Sequence, residues 1–210
     1  MAKIATLVED FSAALNPAIW NYWGNPLYVY PSGGELILKN DPGTTNYHGI
    51  STQVGYDFTN SAVSVGLGTM ANLDDINDPE YSVTVLNAEI DANNRYYWAY
   101  EGSNDLVGMK VVGGAYQYQC GFDKAATGIN RVQIRMDGTN CYYEYSSDNG
   151  ATWTIGATVA QTGVLATNLF FSISTGNWAT IAGTYESHLL DVNSPPVVAT
   201  ANQNMLLMFQ

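Results

Sequence analysis

The sequence predicts an all-β protein, on three observations. Runs such as "YSVTVLNAEI", "RYYWAY", "AYQYQCGF", "RVQIRM" and "CYYEYS" alternate with the two-residue period of a half-buried strand. They are rich in β-branched and aromatic residues and are separated by Gly, Asn and Asp, the residues of tight turns. No stretch of about 11 residues carries the apolar stripe of a helix, apart from a possible single turn at "NPAIW" after the cap-like Asn16.

In chain order, "VEDFSAALNPAIWNYWGNPLYVYPSGGELIL" opens with an acidic-Phe entry strand. It turns at an Asn-Pro-x-x-Trp corner, runs into a strand, and reverses at Gly33-Gly34 into "ELIL". "YDFTNSAVSVGL" and "NNRYYWAY" supply further strands. The best-determined unit is a hairpin. With Gly138 and Thr139 at the tip of a loop between Asp137 and Asn140, Met136 faces Cys141, Ile134 faces Tyr143 and Val132 faces Tyr145, an apolar face throughout. The opposite face sets Arg135 against Tyr142, Gln133 against Glu144 and Arg131 against Ser146. A slip of one residue would drive arginine into the core, so the pattern pins the register.

With 210 residues and 46% hydrophobic content the chain buries a sizeable core and reads as one large domain. Seven basic residues against 19 acidic ones give a net charge of −12, which excludes nucleic acid and anionic membranes as natural partners. Fifteen tyrosines favour β-structure and surfaces that bind through aromatic rings. The start, "MAKIATLVEDF", lacks the apolar core of a signal peptide, and no run approaches the roughly 20 apolar residues of a membrane helix. Cys120 and Cys141 have no C-x-x-C or His/Cys context and are expected as buried free thiols.

"SSDNGATW" fits S-x-D-x-G-x-T-W, the Asp-box pattern that recurs in the blades of sialidases, through Ser146, Asp148, Gly150, Thr152 and Trp153. A propeller needs one box per blade, and a single box cannot supply that scaffold. The resemblance instead makes Ser146, Asp148, Gly150 and Trp153 a structural turn, with Gly150 at positive φ and Trp153 folded back as the plug of the corner.

Taken in order, the N-terminal segment, "YDFTNSAVSVGL", "NNRYYWAY", the hairpin and "GTYESHLLDV" resemble the concanavalin A-like lectin/glucanase jelly roll over roughly Ile4 to Val192. That resemblance implies a two-sheet antiparallel jelly-roll sandwich over residues 1–193, in which sugar is often bound in a concave sheet. Some members are hydrolases whose catalytic strand carries Glu-x-Asp-x-x-Glu, or a variant with one residue fewer. Here "NAEIDANN" matches with Glu89 and Asp91, but the third position falls on Asn93 or Asn94, removing the general acid. "DANN" also reads as a turn, so the sequence leads to the expectation that the protein is not an enzyme.

Other candidates are sparse. His48 and His188 lie outside any metal or triad spacing and are expected as surface or hydrogen-bonded residues. No cofactor is expected; Asp74, Asp75 and Asp78 in "NLDDINDPE" are weak calcium candidates without the glycine and spacing of a calcium loop. The exposed hairpin face, Gln133, Arg135, Tyr142 and Glu144, is a candidate glycan-binding surface, extended by Gln117 and Gln119 if their strand is its neighbour. Residues 194–210 form a Pro-led tail whose Met205, Leu206, Leu207, Met208 and Phe209 suit docking to a partner.

Three functions follow. The first expectation is a non-catalytic virion protein on a bacteriophage tail or capsid, homo-oligomeric and docked to other virion subunits, with host glycan as a further partner. It rests on a lectin-like fold, an acidic surface, the absence of a signal peptide and a detached tail. The alternative is a free carbohydrate-binding module or lectin; a glycoside hydrolase acting at Glu89 comes last.

Overall fold

The structure is a computed structural model, described for residues 1–71, 81–101, 105–177, 180 and 183–193. The calcium candidates Asp74, Asp75 and Asp78 and the whole of the tail, including Met205 to Phe209, lie outside the described residues.

Fourteen strands build the described fold. The first sheet holds seven of them: β1 (Trp20–Trp23), β4 (Tyr47–Thr52), β13 (Phe170–Asn177), β6 (Tyr81–Asp91), β7 (Asn94–Glu101), β8 (Asp105–Val112) and β9 (Ala115–Asp123), in that order across the sheet. The second is made of two segments. One is β2 (Val29–Ser32), β3 (Glu35–Lys39), β14 (Glu186–Val192) and β5 (Ser61–Leu67); the other is β10 (Arg131–Met136), β11 (Asn140–Ser146) and β12 (Thr154–Ala160). β5 runs beside β10, and Leu67 N donates to Asn130 O at 2.8 Å across the seam. All pairings between named strands are antiparallel. This is the two-sheet jelly-roll sandwich that the sequence predicts.

Alternation explains the core. Leu36, Leu38, Val63, Val65, Val132, Ile134 and Tyr143 of the second sheet meet Ile50, Val83, Val85, Tyr96, Trp98 and Phe171 of the first, all buried. Trp98 lies edge-on to Tyr143 at 5.6 Å, and its Nε1 donates to Gln133 O at 3.0 Å, so the largest core side chain leaves no donor unpaired. Cys120 and Cys141 are both buried and free, and burial pushes the Cys120 thiol up to about 11.

The hairpin register is the one read from the sequence, from Met136 opposite Cys141 to Arg131 opposite Ser146. Its outward face is drier than expected, because β5, β14 and the following turn pack around one end of it. Arg131, Glu144 and Ser146 are only 2%, 4% and 2% exposed. Arg131 donates to Ser64 Oγ at 3.2 Å and to both carboxylate oxygens of Asp191, tying β10 to β5 and β14.

The turn at Ser146 to Trp153 is braced by its own side chains. Ser146 Oγ accepts from Gly150 N at 2.8 Å and donates to Asp148 Oδ1 at 2.7 Å, while Asp148 accepts from Thr152 N at 2.9 Å and from Thr152 Oγ1 at 2.7 Å. Gly150 has φ of +88°, and a Cβ there would stand 3.1 Å from Arg131 Cδ. Gly150→Val is therefore expected to lower stability by about 1–3 kcal/mol, read from the urea midpoint. The hydrogen bonds from Ser146 and then Thr152 hold the Asp148 carboxyl at about 2, below its ordinary 3.8. A folded value below the unfolded one stabilises above the unfolded value and is lost as pH falls through the folded one. Asp148→Asn should thus flatten the loss of stability between about pH 4 and pH 2 in acid titrations.

Candidate functional site

The face of the first sheet turned away from the core forms a cleft with a cavity of about 1180 Å³. Side chains reach it by strand parity: on β7, Tyr96, Trp98 and Tyr100 enter the core, so Arg95, Tyr97 and Glu101 project into the cleft. Tyr97 and Met109 line it and belong to a small apolar cluster with Ala99, Val107 and Val111, while Ser51, Ser82, Thr84, Asn87, Ser172 and Ser174 give the rest of the lining a polar surface. Trp23 and Tyr47 form the wall on the β1 side, and Tyr116 stands on the β9 side. Two glycines let those walls form. A Cβ at Gly49 would collide with the Trp23 ring and one at Gly176 with the Tyr47 ring, so both rings lie close over the sheet.

Glu89, one of the two motif matches, lies in this cleft. Register sets Phe170, Glu89, Arg95, Val111 and Tyr116 in one row across five strands, with Ser172, Asn87, Tyr97 and Met109 in the next. A polar relay holds Glu89. Asn87, 3% exposed, donates through Nδ2 to Ser172 Oγ at 2.9 Å, and Ser172 Oγ donates to Glu89 Oε1 at 2.9 Å. Asn87 Oδ1 is buried without a hydrogen-bond partner.

Asp91 also lines the cleft, two residues along the strand from Glu89, roughly 6–7 Å at the backbone. Asp91 ends β6, accepting from Asn93 N at 2.8 Å and from Asn94 Nδ2 at 3.0 Å. The strand reverses there, so the third motif position falls in a turn, as "DANN" suggests. Glu101, in which burial and then the neighbouring Asp105 raise the carboxyl, is a second cleft acid. It stands six residues beyond Arg95, the partner of Glu89. That is roughly 20 Å along the strand, well outside the ~5–9.5 Å of paired glycosidase carboxylates. If two cleft acids act together, the pair is Glu89 and Asp91.

The expected glycan surface is only partly assembled. Gln133, Arg135, Tyr142 and Glu144 do come together, but they satisfy one another. Arg135 Nε donates to Glu144 Oε1 at 3.0 Å, Gln133 Nε2 donates to Glu144 Oε2 at 2.6 Å, and the Arg135 guanidinium lies 3.9 Å from the Tyr142 ring centre. Tyr142 OH donates to Asp137 at 2.6 Å. Gln117 and Gln119 do not extend this surface, because β9 is the edge of the other sheet. His188 sits between Glu35 at 2.6 Å and Glu186 at 2.8 Å, while buried His48 accepts from Asn25 N at 2.8 Å. Among the described residues no group of three His, Cys, Asp or Glu side chains is arranged to hold a metal. No helix among them is long and apolar enough to cross a membrane.

Sequence reasoning missed Trp23, Tyr47, Asn87, Arg95, Tyr97 and Ser172. The alternation in "NNRYYWAY" contained the signal for two of them: with Trp98 in the core, Arg95 and Tyr97 must share the opposite face.

The fold is the concanavalin A-like jelly roll. Among solved structures, the Bacteroides ovatus xyloglucan PUL protein GH43B superposes with a TM-score of 0.63 at 13% identity, over 88% of this chain and 38% of that longer one. The apo Crh5 transglycosylase superposes at 0.62 and 14% identity, over 91% of this chain and 85% of its own. SCLam, a non-specific endo-β-1,3(4)-glucanase from family GH16, does so at 0.59 and 8% identity, over 89% of both chains. No protein-family model and no curated protein sequence matches the chain. These neighbours correct two expectations. The expectations of a non-catalytic virion protein and of a chain without enzymatic activity are overturned, since the solved structures that share this fold include proteins described as a transglycosylase and a glucanase.

Proposed function

We propose that the protein is a carbohydrate-active enzyme that takes a saccharide chain into the cleft of the seven-stranded sheet and acts on it at Glu89. The observation that carries this reading is the Asn87–Ser172–Glu89 relay, which fixes one carboxylate oxygen on an otherwise open cleft floor. A carboxylate so held has a set direction toward a bound sugar ring, and orientation is a large part of what such a site contributes. Asp91, two residues along the same strand, is the nearest other cleft acid in sequence, its carboxylate bonded to Asn93 N and Asn94 Nδ2. Trp23, Tyr47 and Tyr116, 37%, 38% and 62% exposed, offer ring faces to the C–H faces of sugars.

The test is release of reducing ends, or transfer between labelled oligosaccharides, across a panel of xylans, β-glucans and mucin-type glycans. Turnover that disappears in Glu89→Gln is the expected outcome. Binding without turnover would overturn the enzymatic reading.

A further inference from the structure

The cationic side chains show which one is available to a ligand. Among the described residues Lys3, Lys39, Arg131 and Arg135 each have a carboxylate partner, and Lys110 donates to Ala160 O at 2.8 Å. Lys124 belongs to a short helix (Lys124–Thr127), outside the cleft lining. Arg95 differs from all of these. It lines the cleft, has no carboxylate within ion-pair distance among the described residues, and its buried Nε has no hydrogen-bond partner. Its contacts are the Tyr97 ring, 4.8 Å from the guanidinium carbon to the ring centre, and a long 3.4 Å approach of Nη2 to Tyr116 OH.

The obvious intramolecular anion is Glu89, directly across the strand pair from Arg95. It does not neutralise the arginine, because Ser172 on the other side of β6 holds its carboxylate. The result is a guanidinium stacked on an aromatic ring, with donors unspent, in a chain with 19 acidic and 7 basic residues. Leaving buried donors unpaired is unfavourable, and a planar guanidinium matches a carboxylate in shape as well as charge.

We infer that the cleft selects saccharides bearing a carboxylate, a uronic or sialic acid unit, with Arg95 as the residue that receives the acid group beside Tyr97 and Tyr116. This rests on the cleft being the saccharide site. The acid unit docks on the β7–β9 side, while the sugar that reacts lies over Glu89. Salt screens the acidic residues that lie more than about 8 Å away. Inside the cleft the balance is local, the Arg95 guanidinium against the carboxylates of Glu89, Asp91 and Glu101.

The experiment is titration calorimetry with matched pairs: xylo-oligosaccharides with and without a glucuronate branch, and mucin-type O-glycans with and without sialic acid. The two pairs distinguish the sources of the carboxylate. At least one acidic member should bind about 10- to 100-fold more tightly than its neutral partner, the worth of charge-assisted hydrogen bonds. Arg95→Gln should reduce that ratio to near one with neutral binding kept, and Arg95→Lys should restore only part of it. Should Arg95→Gln fail to fold, the wild-type ratio still decides the selectivity and the partial loss in Arg95→Lys decides the role of Arg95. Equal or tighter binding of the neutral members overturns the selectivity and leaves the cleft reading standing. A preference that survives Arg95→Gln removes Arg95 from the role. Binding of neither member overturns both readings.

Discussion

Glu89→Gln is expected to lower turnover of whichever saccharide the wild-type protein processes by about 10²- to 10⁴-fold, the range supplied by a positioned acid or base. Affinity for that saccharide should stay within about threefold. Glutamine keeps the shape and an oxygen that can accept from Ser172 Oγ, so the relay and the fold survive while the ionisable group is gone. The loss should therefore appear in kcat and not in KM, the signature of an interaction used in the transition state. Ser172→Ala makes a useful companion. It leaves the carboxylate and removes the donor that orients it, and one such hydrogen bond is worth about 0.5–1.5 kcal/mol, or up to roughly tenfold in rate. If Glu89→Gln keeps full activity while Asp91→Asn or Glu101→Gln abolishes it, the reacting carboxylate has been assigned to the wrong strand position.

Arg131→Met should cost about 3–5 kcal/mol, the loss associated with removing one partner of a buried ion pair. Domains of this kind have about 5–15 kcal/mol of stability in total, so the variant should unfold at markedly lower urea. Arg131 is 2% exposed, and its partner Asp191 has 16% of its side chain exposed. Methionine fills much of the arginine volume but leaves Asp191 without its cation and Ser64 Oγ without the Nε donor. The double variant Arg131→Met/Asp191→Leu should recover a large part of the loss, because two apolar groups of similar volume need no compensation. A single-variant cost below about 1 kcal/mol would show that the seam between β5 and β10 is held by backbone pairing and packing alone.

The same residue marks the limit of what alternation can say. Two-residue periodicity assigned Val132 and Ile134 to one face of β10, and Arg131, Gln133 and Arg135 to the other, and the structure keeps every one of those pairings. Periodicity gives the face but not its surroundings. Arg131 is covered because β14, about 60 residues later in sequence, and the turn at Ser146 to Trp153 close over it. Arg135, four residues along the same strand, stays partly open with its side chain 36% exposed. The turn itself was legible, because its brace is local: Ser146, Asp148 and Thr152 bond within six residues of one another.

The cleft was legible only in one fragment. "NAEIDANN" pointed to Glu89 and Asp91, and its missing third acid argued against activity; the strand ends at Asp91 as that turn signal implied. The residues that make Glu89 usable come from elsewhere. Ser172 is 83 positions away on β13, Trp23 is on β1 and Tyr116 on β9. They meet because β13 inserts between β4 and β6, a long-range pairing that no local pattern encodes. The sequence by itself determined the all-β class, the strands with clear alternation, the hairpin register and the turn at Ser146 to Trp153, but not β4, β8, β12 or β13, since what it determined depends on neighbours a few residues apart. Only the tertiary structure decided which polar face became a cleft and which became a closed network. It also left Arg95 without a carboxylate partner among the described residues, because these outcomes depend on strand order across a sheet, where distant segments supply or withhold the partners.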